Sequence, residues 1–214
     1  MEKNKRLSCV DCGVLHCDYQ NARYPAFCLT EKLTEEKKRE IMALYEEQDN
    51  NKVMKAAAEV EYEGYCRWPR VQEIVEFAKR MGFQKIGIAT CAGLIRESRI
   101  LAKILRSHDF DVYSAVCKVG AVPKADVGID EKCNAVGENM CNPITQAAML
   151  NDEGTQLNIV MGLCVGHDSL FYKYSQALVT TLVAKDRVTG HNPAAALYTA
   201  ESYYERLFAQ KESR

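Results

Sequence analysis

The sequence predicts an α/β protein with a mostly parallel sheet flanked by helices, a cysteine-rich segment at its start and a helical layer after that. Three observations carry this expectation. From residue 83 onward, short apolar runs rich in Val and Ile alternate with segments of helical period, the pattern of buried parallel strands joined by crossover helices. Residues 31–82 are rich in charge, with apolar positions spaced near 3.6. Residues 1–30 carry Cys9, Cys12, Cys17 and Cys28 but too few apolar residues to fold alone.

The first segment, "CVDCGVLHCDYQNARYPAFC", spaces its thiols C-x2-C-x4-C-x10-C, with Gly13 and Pro25 as turn signals. "MEKNKRLS" is no secretory signal, and no apolar run approaches the about 20 residues that cross a bilayer. A soluble cytoplasmic protein is therefore expected. Disulfides do not persist in a reducing cytosol, so ten cysteines in 214 residues point to metal binding or thiol chemistry. Core packing would not choose a polar loop, which makes Cys9, Cys12, Cys17 and Cys28 candidate ligands of one metal centre. Adjacent His16 reads as an exposed polar residue, with a substitute ligand as the alternative.

Across 31–82, "LTEEKKREIMALYEE", "DNNKVMKAAAEVEYEG" and "RVQEIVEFAKRMG" read as helices whose charged runs are solvated faces, the last ending at Gly82. The α/β domain, 83–214, offers four strands: "KIGIATC", "DVYSAVC", "LNIVMGLC" and "LVTTLVAKD". Between them lie the helices "LIRESRILAKILRSH", "PITQAAMLNDE" and "SLFYKYSQA", and "PAAALYTAESYYERLFAQ" follows as a last helix. Its tyrosines read as core packing on one face.

Cys91, Cys117 and Cys164 each end a predicted strand, and in a parallel sheet all carboxyl ends share the edge where open α/β sheets bind ligands. "CNPI" at Cys141 and "HNPA" at His191 each place an N-cap Asn and a Pro at the first helical position, so each helix starts just after a potential ligand or nucleophile. His167 and Asp168 follow Cys164, and the fourth strand ends in Lys185 and Asp186. One buried cysteine is ordinary core filling. Three at equivalent strand ends, with Cys141 and two histidines nearby, predict a site. Within it Lys185 stabilises an anion, Asp168 or Asp186 orients a histidine, and helix N-termini favour thiolates. Cys133 lies in a Gly-containing loop as ligand, resolving thiol or bystander. Cys66 has no assigned role, and His108 reads as a surface residue.

Several chemistries lack their motifs. There is no G-x-x-x-x-G-K-[ST] loop, no G-x-G-x-x-G after the first strand, no G-x-S-x-G elbow and no H-E-x-x-H helix. The net charge of −1, with both signs mixed, gives no basic footprint, so nucleic acid is not an expected partner.

The cysteine cluster, "KIGIATCAGL", "MCNPITQAAMLN", "LNIVMGLCVGHDSLF" and "VAKDRVTGHNPAAALY" together resemble a family of uncharacterised, cysteine-rich metal-binding proteins, a domain of unknown function found in archaea and anaerobic bacteria. The resemblance implies metal binding and no particular reaction. It places the family's cysteine pattern on Cys9, Cys12, Cys17 and Cys28 and on Cys91, Cys117, Cys141 and Cys164. Four thiolates suit Zn²⁺ or an iron–sulfur cluster. "CVDCG" favours zinc, whereas the surplus thiols and the family's anaerobic associations favour iron–sulfur. Three classes follow, in this order: a redox or sulfur-handling protein whose cysteines Cys91, Cys117, Cys141 and Cys164 hold a cluster or carry reactive thiols, working with a redox or metal-handling partner; a metal-binding accessory or sensor without turnover; and a thiol enzyme with Cys164 as nucleophile and His167 or His191 as base.

Overall fold

The computed structural model describes residues 6–14, 17 and 23–208. His16 and the expected end of the last helix, Ala209 and Gln210, lie outside the described residues. The chain divides into two compact units, Met1–Glu59 and Val60–Arg214.

In the first unit a single 3-10 turn, Cys9–Asp11, is closed by Ser8, whose N–H donates to the Asp11 carboxylate at 3.0 Å. Three helices follow: α1 (Leu29–Lys32), α2 (Glu35–Glu46) and the start of α3 (Gln48–Gly64). Thr34 caps α2 by accepting the Lys37 N–H at 3.2 Å. No residue of α2 is buried, as its runs of Glu and Lys predict.

The second unit contains the rest of α3, then α4 (Arg70–Met81), β1 (Lys85–Thr90), α5 (Ile95–Arg106), β2 (Asp111–Val116), α6 (Pro143–Asp152), β3 (Leu157–Met161), α7 (His167–Tyr174), β4 (Leu178–Val183) and α8 (Ala194–Tyr198). Gly82 ends α4 in the left-handed conformation, φ 70°. The four strands form one parallel sheet, ordered β2-β1-β3-β4. Because β2 lies on one side of β1 and β3 on the other, the chain reverses its direction of winding at β1. The crevice this opens lies at the carboxyl ends of β1 and β3.

Two layers cover the sheet. On one face Ile74, Val75 and Ala78 of α4 and Leu101 and Leu105 of α5 meet Ile86, Ile88 and Ile159. On the other, Ala147 and Leu150 of α6 and Phe171 of α7 meet Ala89, Val160 and Cys117. Leu105, Leu150 and Phe171 are fully buried, each contributing about 1.5–3 kcal/mol of transfer free energy. The strand pattern differs from expectation at the edges. β1 and β3 are buried on both faces, but β2 buries only Val112 and Ala115 and β4 is half-covered, because both lie at the edges of the sheet.

The last helix also departs from expectation. After α8 the backbone turns at Thr199, whose hydroxyl donates back to the Ala195 carbonyl at 2.8 Å, and among the described residues only a short 3-10 turn, Glu205–Leu207, follows. Tyr198 and Tyr203 are 83% and 79% exposed, so the tyrosines do not pack as a core face. With no apolar surface buried, β-branched Thr199 and the polar residues around it have nothing to hold them in a helix.

One close approach locks β1 to β3. Gly87 is paired in register with Asn158, and a Cβ at residue 87 would overlap the Asn158 Oδ1. Asn158 is buried and accepts from Thr155 Oγ1 at 2.8 Å while donating to Ser175 Oγ at 2.9 Å, so it has no room to yield. Gly87→Ala is expected to lower unfolding stability by roughly 1–3 kcal/mol, read as a fall in the urea midpoint at unchanged m-value. An unchanged midpoint would contradict this packing.

Candidate functional site

In the first unit Cys9, Cys12, Cys17 and Cys28 line one pocket of about 230 Å³, together with Val14, Tyr24, Phe27, Leu29 and Thr30. Cys12 Sγ accepts the Val14 N–H at 3.4 Å. Cys28 is buried at the start of α1. There the Glu31 N–H lowers its thiol pKa against burial, and Thr30 acts in the same sense. Backbone N–H groups aimed at sulfur favour the thiolate, the form that binds metal. The donor set therefore fits a thiophilic metal. Among the described residues, however, no three His, Cys, Asp or Glu side chains stand close enough together to form a metal-ligating group.

In the second unit the ladder continues one residue beyond the strands. Cys117 N–H donates to the Thr90 carbonyl at 2.8 Å, and Cys91 N–H to the Met161 carbonyl at 3.1 Å. Cys91 and Cys117 thus sit side by side at the carboxyl ends of β1 and β2. Asn142 N–H donates to the Cys117 carbonyl at 2.7 Å, which brings Cys141 to the same place. Asn142 also caps α6 by accepting the Thr145 N–H at 3.2 Å, as its position before Pro143 predicts. Cys117 is buried, with Cys91 and Cys141 packed against its apolar cluster.

The three thiols act on one another. Interaction with the Cys117 thiol is the largest influence lowering each of the other two to about 5. For Cys91 the Gly93 N–H and the charge of Lys185 add to the effect against burial. For Cys141 the charges of Lys118 and His167 add, while burial and Cys91 oppose. The Cys117 thiol is driven far up by its contacts with Cys141 and Cys91 and by burial, although its sulfur accepts the Ala92 N–H at 3.3 Å. These shifts favour thiolates at Cys91 and Cys141 and a retained proton on Cys117 between them.

Cations surround this cluster. Lys185 reaches the space over Gly93 and Gly162, and a Cβ at Gly162 would stand 3.3 Å from Lys185 Cε. Arg187 donates to Cys164 Sγ at 3.1 Å, and the charges of Cys164, Cys91 and Cys141 all raise its pKa. Lys118 and Arg187 escaped the sequence reading, although each directly follows a residue already singled out, Cys117 and Asp186. Gln146 escaped it as well. Fully buried on α6, it donates to the Thr90 carbonyl at 3.2 Å and the Ala115 carbonyl at 2.7 Å, clamping the ends of β1 and β2 beneath the thiols.

The remaining candidates are placed differently. His167 lies near Cys141, and its N–H donates to the Cys164 carbonyl. His191, at φ 67°, folds into its own loop: the Asp186 N–H donates to its Nδ1 at 3.1 Å. The Asp186 carboxylate accepts the Val188 and Thr189 N–H groups, and Asp168 accepts that of Ser169. Cys133 lies in a 3-10 turn with its carbonyl bonded to the buried Lys124 ammonium, and Cys66 is exposed.

A parallel four-stranded α/β sheet with cysteines at its carboxyl edge defines the class, and within it the chain belongs to the family described as "Protein of unknown function (DUF1847)", whose model matches residues 28–182. That match takes in Cys28, Cys91, Cys117, Cys141 and Cys164. The chain is also similar to the uncharacterised protein MJ0455 of Methanocaldococcus jannaschii, at 47% identity over 184 residues, covering 86% of this chain and 90% of that protein.

A pKa lowered to about 5 from 9.0 means that the thiolate persists above about pH 5 and is lost as pH falls through that value. Iodoacetamide labelling of Cys91 and Cys141 is expected to slow less than about threefold between pH 8 and pH 6, where an ordinary thiol slows by roughly two orders of magnitude. Cys117→Ala removes the shared donor and is expected to restore the steep profile. Peptide mapping of the alkylated cysteines checks both.

Proposed function

We propose that this is a cysteine-ligated metal-binding protein whose α/β unit carries a redox or sulfur-handling thiol centre, Cys91, Cys117 and Cys141, at the carboxyl edge of the sheet. One observation carries the reading: Cys91 and Cys141 pack against the buried cluster that holds Cys117, with Lys185 and Cys91 both beside Gly93, and the charges of Lys185, Lys118 and His167 act on these thiols. Such a cluster holds a nucleophilic thiolate beside a second sulfur able to resolve a mixed disulfide formed on it. Cys164, held by Arg187, and the His191–Asp186 loop flank the centre. Lys185 and Arg187 stabilise negative charge beside it.

Cys9, Cys12, Cys17 and Cys28 are the residues that would hold the metal, an iron–sulfur cluster ahead of Zn²⁺. When bound there, a cluster supplies electron transfer and zinc supplies folding free energy. The chain's own contribution is the set of N–H groups of Val14, Glu31 and Thr30, which keep Cys12 and Cys28 suited to ligation. Among the described residues no helix is long and apolar enough to cross a membrane. The proposed setting is a reducing cytoplasm, with a redox or metal-handling protein as partner and no nucleic acid.

A second reading, a zinc-binding accessory or sensor without turnover, draws on the four-cysteine pocket alone. Anaerobic purification separates the two. The proposal expects brown visible absorption with iron, lost on replacing any of Cys9, Cys12, Cys17 or Cys28 by Ala. It expects Cys117→Ala to keep the metal and lose the low-pH thiol reactivity. A colourless protein with stoichiometric zinc and ordinary thiols at Cys91 and Cys141 would favour the accessory. Unchanged metal content in all four variants would remove the first segment from the account.

A further inference from the structure

We propose that the thiol centre exchanges with small disulfides that carry negative charge, with Cys91 or Cys141 as the attacking sulfur and Cys117 as the resolving one. The inference rests on the reading of these three cysteines as a thiol centre and adds the substrate class and the order of events.

The order follows from placement. Cys91 and Cys141 are half-buried, whereas Cys117, 3% exposed, lies inside the apolar cluster against which both pack. A buried sulfur cannot meet an external disulfide first, but it can reach a neighbour that has already reacted. In the first step the Cys91 or Cys141 thiolate attacks one sulfur of the substrate. A protein–substrate disulfide forms, the substrate S–S bond breaks, and the departing thiolate takes the electron pair. In the second step the Cys117 proton passes to that thiolate and the Cys117 sulfur attacks the protein sulfur of the mixed disulfide. A disulfide between Cys117 and the attacking cysteine forms and the second substrate thiolate leaves. The substrate gains two electrons and the one proton of Cys117, leaving as one thiol and one thiolate, and the protein pair loses them. Return to the dithiol takes an external dithiol reductant by the reverse exchange.

The substrate class follows from charge. Lys185 stands by Cys91, Lys118 and His167 by Cys141, and Arg187 by Cys164 within reach of the other two charges. The carboxylates adjacent in sequence to His167, Lys185 and Arg187 are turned to backbone: Asp168 accepts from Ser169, and Asp186 from Val188 and Thr189. Three cations face the thiol centre, and the negative charge that passes to each departing substrate sulfur is stabilised by them. A cationic disulfide meets the opposite field.

The test uses the full chain, anaerobically reduced, with three probes: anionic 5,5′-dithiobis(2-nitrobenzoate), neutral hydroxyethyl disulfide and cationic cystamine. Each probe's rate is divided by its rate with a free model thiol. The anionic probe is expected to be favoured over the cationic one by at least about tenfold at low ionic strength, the preference shrinking as salt rises. Arg187→Met and Lys185→Met should cut the anionic-over-cationic rate ratio by at least about threefold, a change of ratio that mere loss of packing, which slows all three probes alike, does not give. In Cys117→Ser the mixed disulfide on Cys91 or Cys141 should accumulate, where the unaltered protein releases both substrate thiols. Charge-blind rates, or a mixed disulfide that persists in the unaltered protein, would overturn this inference and leave the thiol-centre reading standing. Cys91 and Cys141 inert toward all three probes and toward iodoacetamide would overturn both.

Discussion

Everything at the candidate site depends on the hydrogen-bond ladder of a parallel sheet running one residue past its strands. The bonds from Cys117 N–H to Thr90 and from Cys91 N–H to Met161 hold three adjacent chains in register at the carboxyl edge. In an antiparallel sheet the same cysteines would fall on opposite edges. Here they share one, beside the crevice where the winding reverses. Gln146 reinforces the register from below through the Thr90 and Ala115 carbonyls. Its own Oε1 is buried with no hydrogen-bond partner among the described residues, a cost of the kind that proteins tolerate at functional sites.

From that register the electrostatics follow. Two half-buried thiols flank a buried one, so a charge on either side is stabilised by the central S–H, while ionising the centre would set three negative charges side by side. The surrounding cations tilt the balance further, and space for Lys185 depends on glycine. Gly162 has φ 67° and closely abuts Leu94, so a larger residue there would meet both backbone strain and the lysine stem.

The fold was largely legible in the sequence because its signals are local. Val- and Ile-rich runs marked all four strands, Gly82 marked the end of α4, and Asn142–Pro143 marked the start of α6. Strand-end cysteines implied a shared edge once parallel topology was inferred. What could not be read depends on tertiary placement. Nothing in "LYTAESYYERLF" announces that no apolar surface covers it, so the helical period there was misleading. Arg187, Lys118 and Gln146 gain their meaning from neighbours 23 or more residues away in sequence, such as the Cys164 that Arg187 meets. Histidines beside cysteines suggested base–nucleophile pairs, yet His191 turns to the Asp186 backbone and Cys164 to a guanidinium.

Convergence of Cys91, Cys117 and Cys141 on one sulfur is the central claim, and oxidative trapping tests it most directly. Brief treatment of the reduced full-length protein with diamide, followed by quenching and peptide mapping, reports which thiols touch. The account predicts disulfides joining Cys117 to Cys91 or to Cys141 as the first products from the α/β unit, with Cys66 and Cys133 still free. Cys117 left as a free thiol while Cys91 and Cys141 pair elsewhere would contradict it.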